Sequence, residues 1–456
     1  VRNILPLTLA LITFLVSCAT PPGPVPRSPA EISPEIRMPG TGGRLPDLQP
    51  ERVRGGMVVG WFPSWAAYAR DYPVSAVPAD SLTHVFYAFA GLSPAGTLTL
   101  ADPAVDVDRV FGPEPEGLGF HGHFAQLQWL RQTSQGLTII ISLGGGGMGS
   151  RLAALAASPE GRRRFADSVA DFVVRYGFDG LDLDWEFPTI ADRENVSLLV
   201  GELRRALGGR WLSLSAGATA ARLAALDLPA LASDLDCLNL MAYDYHGAWD
   251  GLTGHQSALY PDPLDPAVRA AWTGGRYNVH DAVQYCLRNG FPPEKLLIGC
   301  PVYGRAWYVE AIGSPVDGTV SQTDAELNGR FRPASREKPV GTWRTGTYDF
   351  DDLANDALWP PANRHHDPES RASWYYDPAS GFFASWDDEL SIRAKAEFVR
   401  SMGLGGMAFW QLAADREGRL PRLAASVLGI APAGYSGGAN GGIMESAGDS
   451  DDPERF

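Results

Sequence analysis

The chain has 456 residues, 45% of them hydrophobic and 10% aromatic, enough for one large domain plus an insertion or a second domain. A net charge of -15 and a pI near 5.0 exclude a nucleic-acid partner, which needs a basic stripe, and favour an uncharged or cationic substrate. Thirteen Trp and fifteen Tyr offer many flat faces of the kind on which sugar rings stack, although most such residues are simply core.

Arg2 and Asn3 give a short, weakly basic start, and Ile4 to Val16 form an apolar run of signal-peptide length, too short to span a bilayer. Leu15-Val16-Ser17-Cys18 is similar to the bacterial lipobox, so residues 1–18 read as a lipoprotein signal with Cys18 as the lipidated residue. An ordinary signal peptide with an incidental Cys is the alternative. No Asp follows Cys18, so the expected place is the outer membrane or cell surface through a lipid anchor, with plain secretion as the other reading. Residues 19–54 are rich in Pro, Gly and Ser and read as a tether. Cys237, Cys286 and Cys300 lie in apolar contexts and read as free buried thiols, with one disulfide open if the fold brings two together.

From about residue 55 short apolar runs alternate with helical stretches. Strands are expected at Met57–Phe62, His84–Phe89, Leu137–Leu143, Phe178–Glu186, Trp211–Ala216, Cys237–Tyr243, Leu296–Val302 and Gly406–Trp410. Helices are expected at Phe165–Arg175, Arg193–Leu207, Val279–Asn289 and Leu390–Ser401. Eight parallel βα units over residues 55–430 indicate an α/β fold, a (β/α)8 TIM barrel. Residues 306–380 exceed what one helix and a loop require, and their β-like alternation reads as a small inserted α+β subdomain. Residues 431–456 are an acidic, Gly-rich tail that cannot build a core.

The fourth expected strand carries Asp179-Gly180-Leu181-Asp182-Leu183-Asp184-Trp185-Glu186. On a strand, Asp182, Asp184 and Glu186 share one face and Leu181, Leu183 and Trp185 the other. A solvated acidic face is one reading, but the apolar flanks and the lack of any Lys or Arg between Arg175 and Arg193 argue for burial. A hard-cation site is a second reading, without the glycine-turn spacing of a calcium loop to support it. Three crowded carboxylates must have their proton affinities pushed apart, which is how a site keeps one acid protonated near neutral pH. In a barrel the site collects at the C-terminal rim, so Glu186 stands nearest the substrate.

The chain resembles the glycoside hydrolase family 18 chitinases. Asp179 to Glu186 match that family's D-G-x-D-x-D-x-E at every fixed position, and Ser142-Leu143-Gly144-Gly145 matches its S-x-G-G. Met241-Ala242-Tyr243-Asp244 matches its M-x-Y-D, while Pro301 to Arg305 and Gly403 to Trp410 resemble its last two strand segments. The resemblance covers about 56–428, and the insertion falls where the bacterial subfamily with a deep cleft carries one.

The resemblance implies that Glu186 is the acid and then the base, with the N-acetyl carbonyl of the sugar as the nucleophile. It implies that Asp184 holds the acetamido N–H, that Tyr243 binds the acetamido oxygen, and that Asp182 shares a proton with Asp184. Asp244 is then expected to bind substrate and Trp410 to be the floor under the distorted sugar, with Tyr87 and Phe89 nearby. Met241, Tyr303 and Arg305 come from the matching segments as further substrate contacts, and Trp65 and Trp249 are candidate sugar platforms. No cofactor or metal is implied, and the partner is chitin or a chitooligosaccharide, acted on by a monomer. Two departures stand out. Gly146-Gly147 replace the Trp that many members carry after S-x-G-G, which puts a strong leaving-group site in doubt, and Gln256 stands where an Asn is usual. The rival functions are a lectin-like chitin binder of the same fold and a hydrolase of peptidoglycan or N-glycan cores.

Overall fold

The computed structural model describes residues 56–134, 136–269, 277–310 and 327–430. The signal, Cys18, the tether and the tail lie outside the described residues, as do residues 311–326 of the insertion.

Eight parallel strands close a barrel: β1 Met57–Pro63, β2 His84–Leu92, β3 Thr138–Gly144, β4 Gly180–Asp184, β5 Trp211–Gly217, β6 Cys237–Met241, β7 Leu296–Pro301 and β8 Gly406–Trp410. Closure is made by β8 pairing with β1, Met57 opposite Gly406. Alternation along the strands sorts the side chains into two sets. Leu181, Leu183 and Trp185 join Leu199, Leu203 and Phe172 in the layer between barrel and helices. Val59, Trp61, Phe86, Ile140, Cys237, Leu297 and Ala408 fill the barrel interior. Cys237, Cys286 and Cys300 are free and buried.

Local signals fix where β4 begins. Ser158 caps the preceding helix, Pro159–Tyr176, by accepting from the Gly161 N–H, with Pro159 at the first helical position. Gly177 ends it in the left-handed conformation, φ 73°. Asp179 then ties the foot of the strand to its neighbours, accepting from Arg131 at 2.7 Å and from the Ile139 N–H at 2.7 Å. Gly180 has to be glycine, because a Cβ there would lie 2.0 Å from the Trp211 carbonyl oxygen on β5. The first half of the acidic motif is thus structural. The strand itself stops at Asp184, so Glu186 stands beyond it, above the rim.

The insertion forms a five-stranded antiparallel sheet in the order Thr347–Asp349, Tyr303–Tyr308, Phe382–Trp386, Ser373–Asp377, Arg364–His366. It is wider than the 306–380 expected, because only Val302 separates β7 from its first strand and its closing strand runs to Trp386. Trp307, Trp374 and Phe383 form a separate small core on the sheet, while Phe382, Ala384 and Trp386 join the main core. Non-proline cis peptide bonds follow Ala88, Glu186 and Trp410, on the C-terminal side of the barrel.

Candidate active site

At the centre of the barrel Asp182 is fully buried and meets no cation among the described residues. Ser213 donates to it at 2.7 Å and Ser142 at 2.8 Å, with Ser215 at 3.3 Å from both carboxylate oxygens. Asn239 donates in turn to Ser215 at 3.1 Å. Burial raises the Asp182 pKa to about 6, and the three hydroxyls hold it from rising further.

Asp184 lies above it, 5% exposed, with Oδ1 buried and without a hydrogen-bond partner among the described residues. Burial first, then the like charges of Glu186 and Asp182, push its pKa well above the ordinary carboxylate range. Glu186 is also raised, by burial and by Asp244, while the cation of Arg222 pulls the other way. The serines of β3 and β5 hold Asp182 in place beneath Asp184, whose proton affinity its charge raises.

Gly144 lets β3 pass close beneath this column. A Cβ there would lie 1.7 Å from the Asp184 carbonyl oxygen, and φ is 141°. The neighbouring Gly145 N–H donates to that same oxygen at 3.0 Å. The S-x-G-G segment therefore supplies one side-chain donor to Asp182 and two residues slim enough to reach Asp184.

Two groups flank the column. On the side of β8, β1 and β2, Trp410 stacks on Phe89 at 5.7 Å and meets Trp65 at 6.1 Å. On the side of β6 and β7, Asp244 accepts from Arg305 through both oxygens, at 2.8 and 2.7 Å, and from the Tyr303 hydroxyl at 2.8 Å. This clamp holds Asp244 at φ 58°, a conformation few residues other than Gly, Asn and Asp adopt. Trp249, 59% exposed, lies over the Arg305 guanidinium at 5.1 Å.

Tyr243 borders Tyr303 at 6.3 Å between ring centres. Burial, then Tyr303, Asp184, Asp244 and Glu186, push its hydroxyl pKa far up, so it stays a donor at every working pH. Met241 ends β6 and is partly exposed. Gln256 donates to the Tyr303 carbonyl oxygen at 2.5 Å and braces the start of the insertion.

Tyr87 does not join the site. It is fully buried against the helices, donating to Asp106 at 2.6 Å with His123 at 3.2 Å. A register shift between Ala88 and Ala90 turns Phe89 inward and leaves Tyr87 outward. Ser213, Ser215 and Asn239 were not singled out from the sequence. Their signal was present in Ser213 and Ser215, small polar residues at alternate positions of an otherwise apolar strand that pairs with β4. Arg222 was missed as well, its signal being weak, one Arg in an Ala-rich turn. Among the described residues no cluster of three or more His, Cys, Asp or Glu is arranged to hold a metal ion.

A buried column of three carboxylates capped by Glu186, at the C-terminal mouth of a barrel, is a setting for acid–base chemistry. The sequence profile described as glycosyl hydrolases family 18 matches residues 57–415, which takes in every group of this site. The chain belongs to glycosyl hydrolases family 18. Chitinase A1 of Niallia circulans is 32% identical over 79% of this chain and 56% of that protein. Chitinase 1 of Aphanocladium album is 30% identical over 78% of this chain and 81% of its own. The chain thus spans only about half the length of the first relative and most of the second. Among solved structures, Chitinase ChiA74 from Bacillus thuringiensis superposes with a TM-score of 0.73 at 28% identity, covering 83% of this chain and 70% of that one. The Group IV chitinase of Ostrinia furnacalis gives 0.69 at 28% identity, covering 82% of this chain and all of its own.

Proposed function

We propose that this family 18 hydrolase cleaves β-1,4 bonds between N-acetylglucosamine units of chitin or chitooligosaccharides, with retention and with the substrate's acetamide as nucleophile. The observation that carries the reading is Asp184 Oδ1, a buried carboxylate oxygen without a hydrogen-bond partner among the described residues, beside the rim acid Glu186. An unpaired buried acceptor is costly, and an acetamido N–H is a donor of the right kind to relieve it. Glu186, its proton affinity raised by burial and by Asp244, gives its proton to the glycosidic oxygen and later takes one from water. Tyr243 supplies the hydroxyl that fixes the acetamido oxygen, and Trp410 with Phe89 and Trp65 supplies the apolar floor for the sugar.

A protein nucleophile is poorly served by what remains. Asp182 is fully buried under three serines, and both oxygens of Asp244 are taken by Arg305. Substrate-assisted attack is the recognised exception among retaining glycosidases, and it fits this shortage. The relatives named as chitinases support chitin as the polymer, and the lipobox-like Cys18 supports export with a lipid anchor.

Chitin oligomers incubated with the wild type and with Glu186→Gln, products followed by mass spectrometry, test the reading. Cleavage by the wild type alone is expected. If both proteins bind oligomers and neither cuts, the protein is a lectin-like binder; if only peptidoglycan or glycoproteins are cut, the chitin assignment fails. Metabolic labelling with a radioactive fatty acid checks the anchor, and label retained in Cys18→Ser would contradict it.

A further inference from the structure

The side of Glu186 away from Trp410 holds a cation without a partner. Phe187 follows Glu186 directly, and the Arg222 guanidinium lies over its ring at 4.3 Å. The pair sits in a prepared space at the end of β5, where a Cβ on Gly217 would come within 3.0 Å of both Arg222 and Phe187. Arg222 is exposed and forms no ion pair among the described residues, in a chain of net charge -15. Other arginines of the barrel and the insertion are paired with carboxylates: Arg305 with Asp244, Arg70 with Asp349 and Arg330 with Asp262. The loop after the neighbouring β3 is slim beside Glu186: Gly146 and Gly147 are exposed, and a Cβ on Gly149 would lie 2.6 Å from the Glu186 carbonyl oxygen.

Strand order says which half of the substrate this surface meets. Trp410, Phe89 and Trp65 come from β8, β2 and the turn after β1, whereas Phe187 and Arg222 follow β4 and β5 across the barrel mouth. On the reading that the N-acetylated sugar under attack lies on Trp410, the unit beyond Glu186 is the leaving group. It meets the stacked Phe187–Arg222 pair and a loop with glycines at 146, 147 and 149.

We propose that Arg222, held by Phe187, is a specificity-determining residue for the leaving group, and that beside the neutral units of chitin it favours leaving units that carry a carboxylate. A planar guanidinium matches a carboxylate through paired N–H donors, and the slim glycine loop leaves room for the substituent that bears it. The proposal rests on the hydrolase reading above. Arg222 also acts on the acid itself: it opposes Asp244 beside Glu186, so its loss raises the pKa of Glu186.

The test uses the full chain and two aryl N,N′-diacetylchitobiosides whose phenols match in acidity. One carries a carboxylate on a short arm and the other the corresponding methyl amide. The wild type is expected to favour the anionic glycoside in kcat/KM by roughly fivefold at low salt, the size of one exposed charge pair. The preference fades in about 0.5 M NaCl, where the screening length is only a few ångströms. Arg222→Gln is expected to abolish the preference and to move the basic limb of the pH profile upward, while Arg222→Lys keeps part of both. A wild-type ratio near one, or an unchanged ratio and unmoved limb in Arg222→Gln, overturns the proposal while leaving the hydrolase reading intact. A wild type inert on both glycosides overturns the hydrolase reading, and this proposal with it.

Discussion

Two buried aspartates in this molecule have opposite company. Asp387, at the end of the insertion sheet, faces Lys395 at 2.5 Å with Ser257 at 3.1 Å, and both members of the ion pair are shut away from water. Asp182, in the barrel, meets three serine hydroxyls and, among the described residues, no cation. Burial alone raises both carboxyls; Lys395 counters it at Asp387, while only hydroxyls counter it at Asp182. A cation in contact favours the charged form of a carboxyl and offsets part of the cost of its burial. Hydroxyls hold it in place yet leave its charge free to respond to Asp184 and Glu186 above it. The insertion is fastened by a buried ion pair, and the foot of the carboxylate column is held by hydroxyls instead.

The largest test of that contrast is Glu186→Gln, which keeps the shape of the column and removes its transferable proton. We expect kcat/KM on chitooligosaccharides to fall ~10³-fold or more with thermal stability kept, measured by product release and calorimetry. Next is the fastening: Lys395→Met leaves Asp387 buried and unpaired and should cost about 3–5 kcal/mol in denaturant unfolding. Activity of the folded fraction on short oligomers should change far less.

Ser213→Ala removes one donor from Asp182 at a cost of about 1–3 kcal/mol. Fewer donors to the anion mean a pKa above the present value of about 6, so the acidic limb of kcat/KM should move to higher pH. The smallest effect concerns stability. Because the folded pKa of Asp182 exceeds its unfolded value, its contribution is complete below about pH 4 and is lost as pH rises through about 6. Asp182→Asn escapes that loss and should gain about 1–3 kcal/mol at pH 7, seen as a higher Tm, while activity falls.

The barrel was legible because its strands are near-continuous apolar runs, and the acidic column because three carboxylates interrupt one of them at alternate positions. Helix Gly122–Thr133 was not found. Its inward positions include His123, Gln126 and Gln128, all buried, which break the apolar stripe that periodicity relies on. Tyr87 was misplaced for a different reason. Strict alternation puts it on the same face as Phe89, and only the irregularity between Ala88 and Ala90 separates them, which nothing local in the residue types announces. The serines under Asp182 come from two strands neighbouring β4, so their convergence is a product of strand register rather than of any one segment. The same holds for Arg222 and Phe187, 35 positions apart in sequence and stacked at 4.3 Å.

The central claim is that the column supplies a proton and a brace but no nucleophile. Its direct test compares an aryl N,N′-diacetylchitobioside with the same glycoside bearing a free amine on the sugar at the cleaved bond, following the anomer first released by NMR. The account predicts that only the acetylated substrate is cut and that the β-anomer appears first. Comparable cleavage of the amine, or a glycosyl group found covalently bound to an enzyme carboxylate, would contradict it.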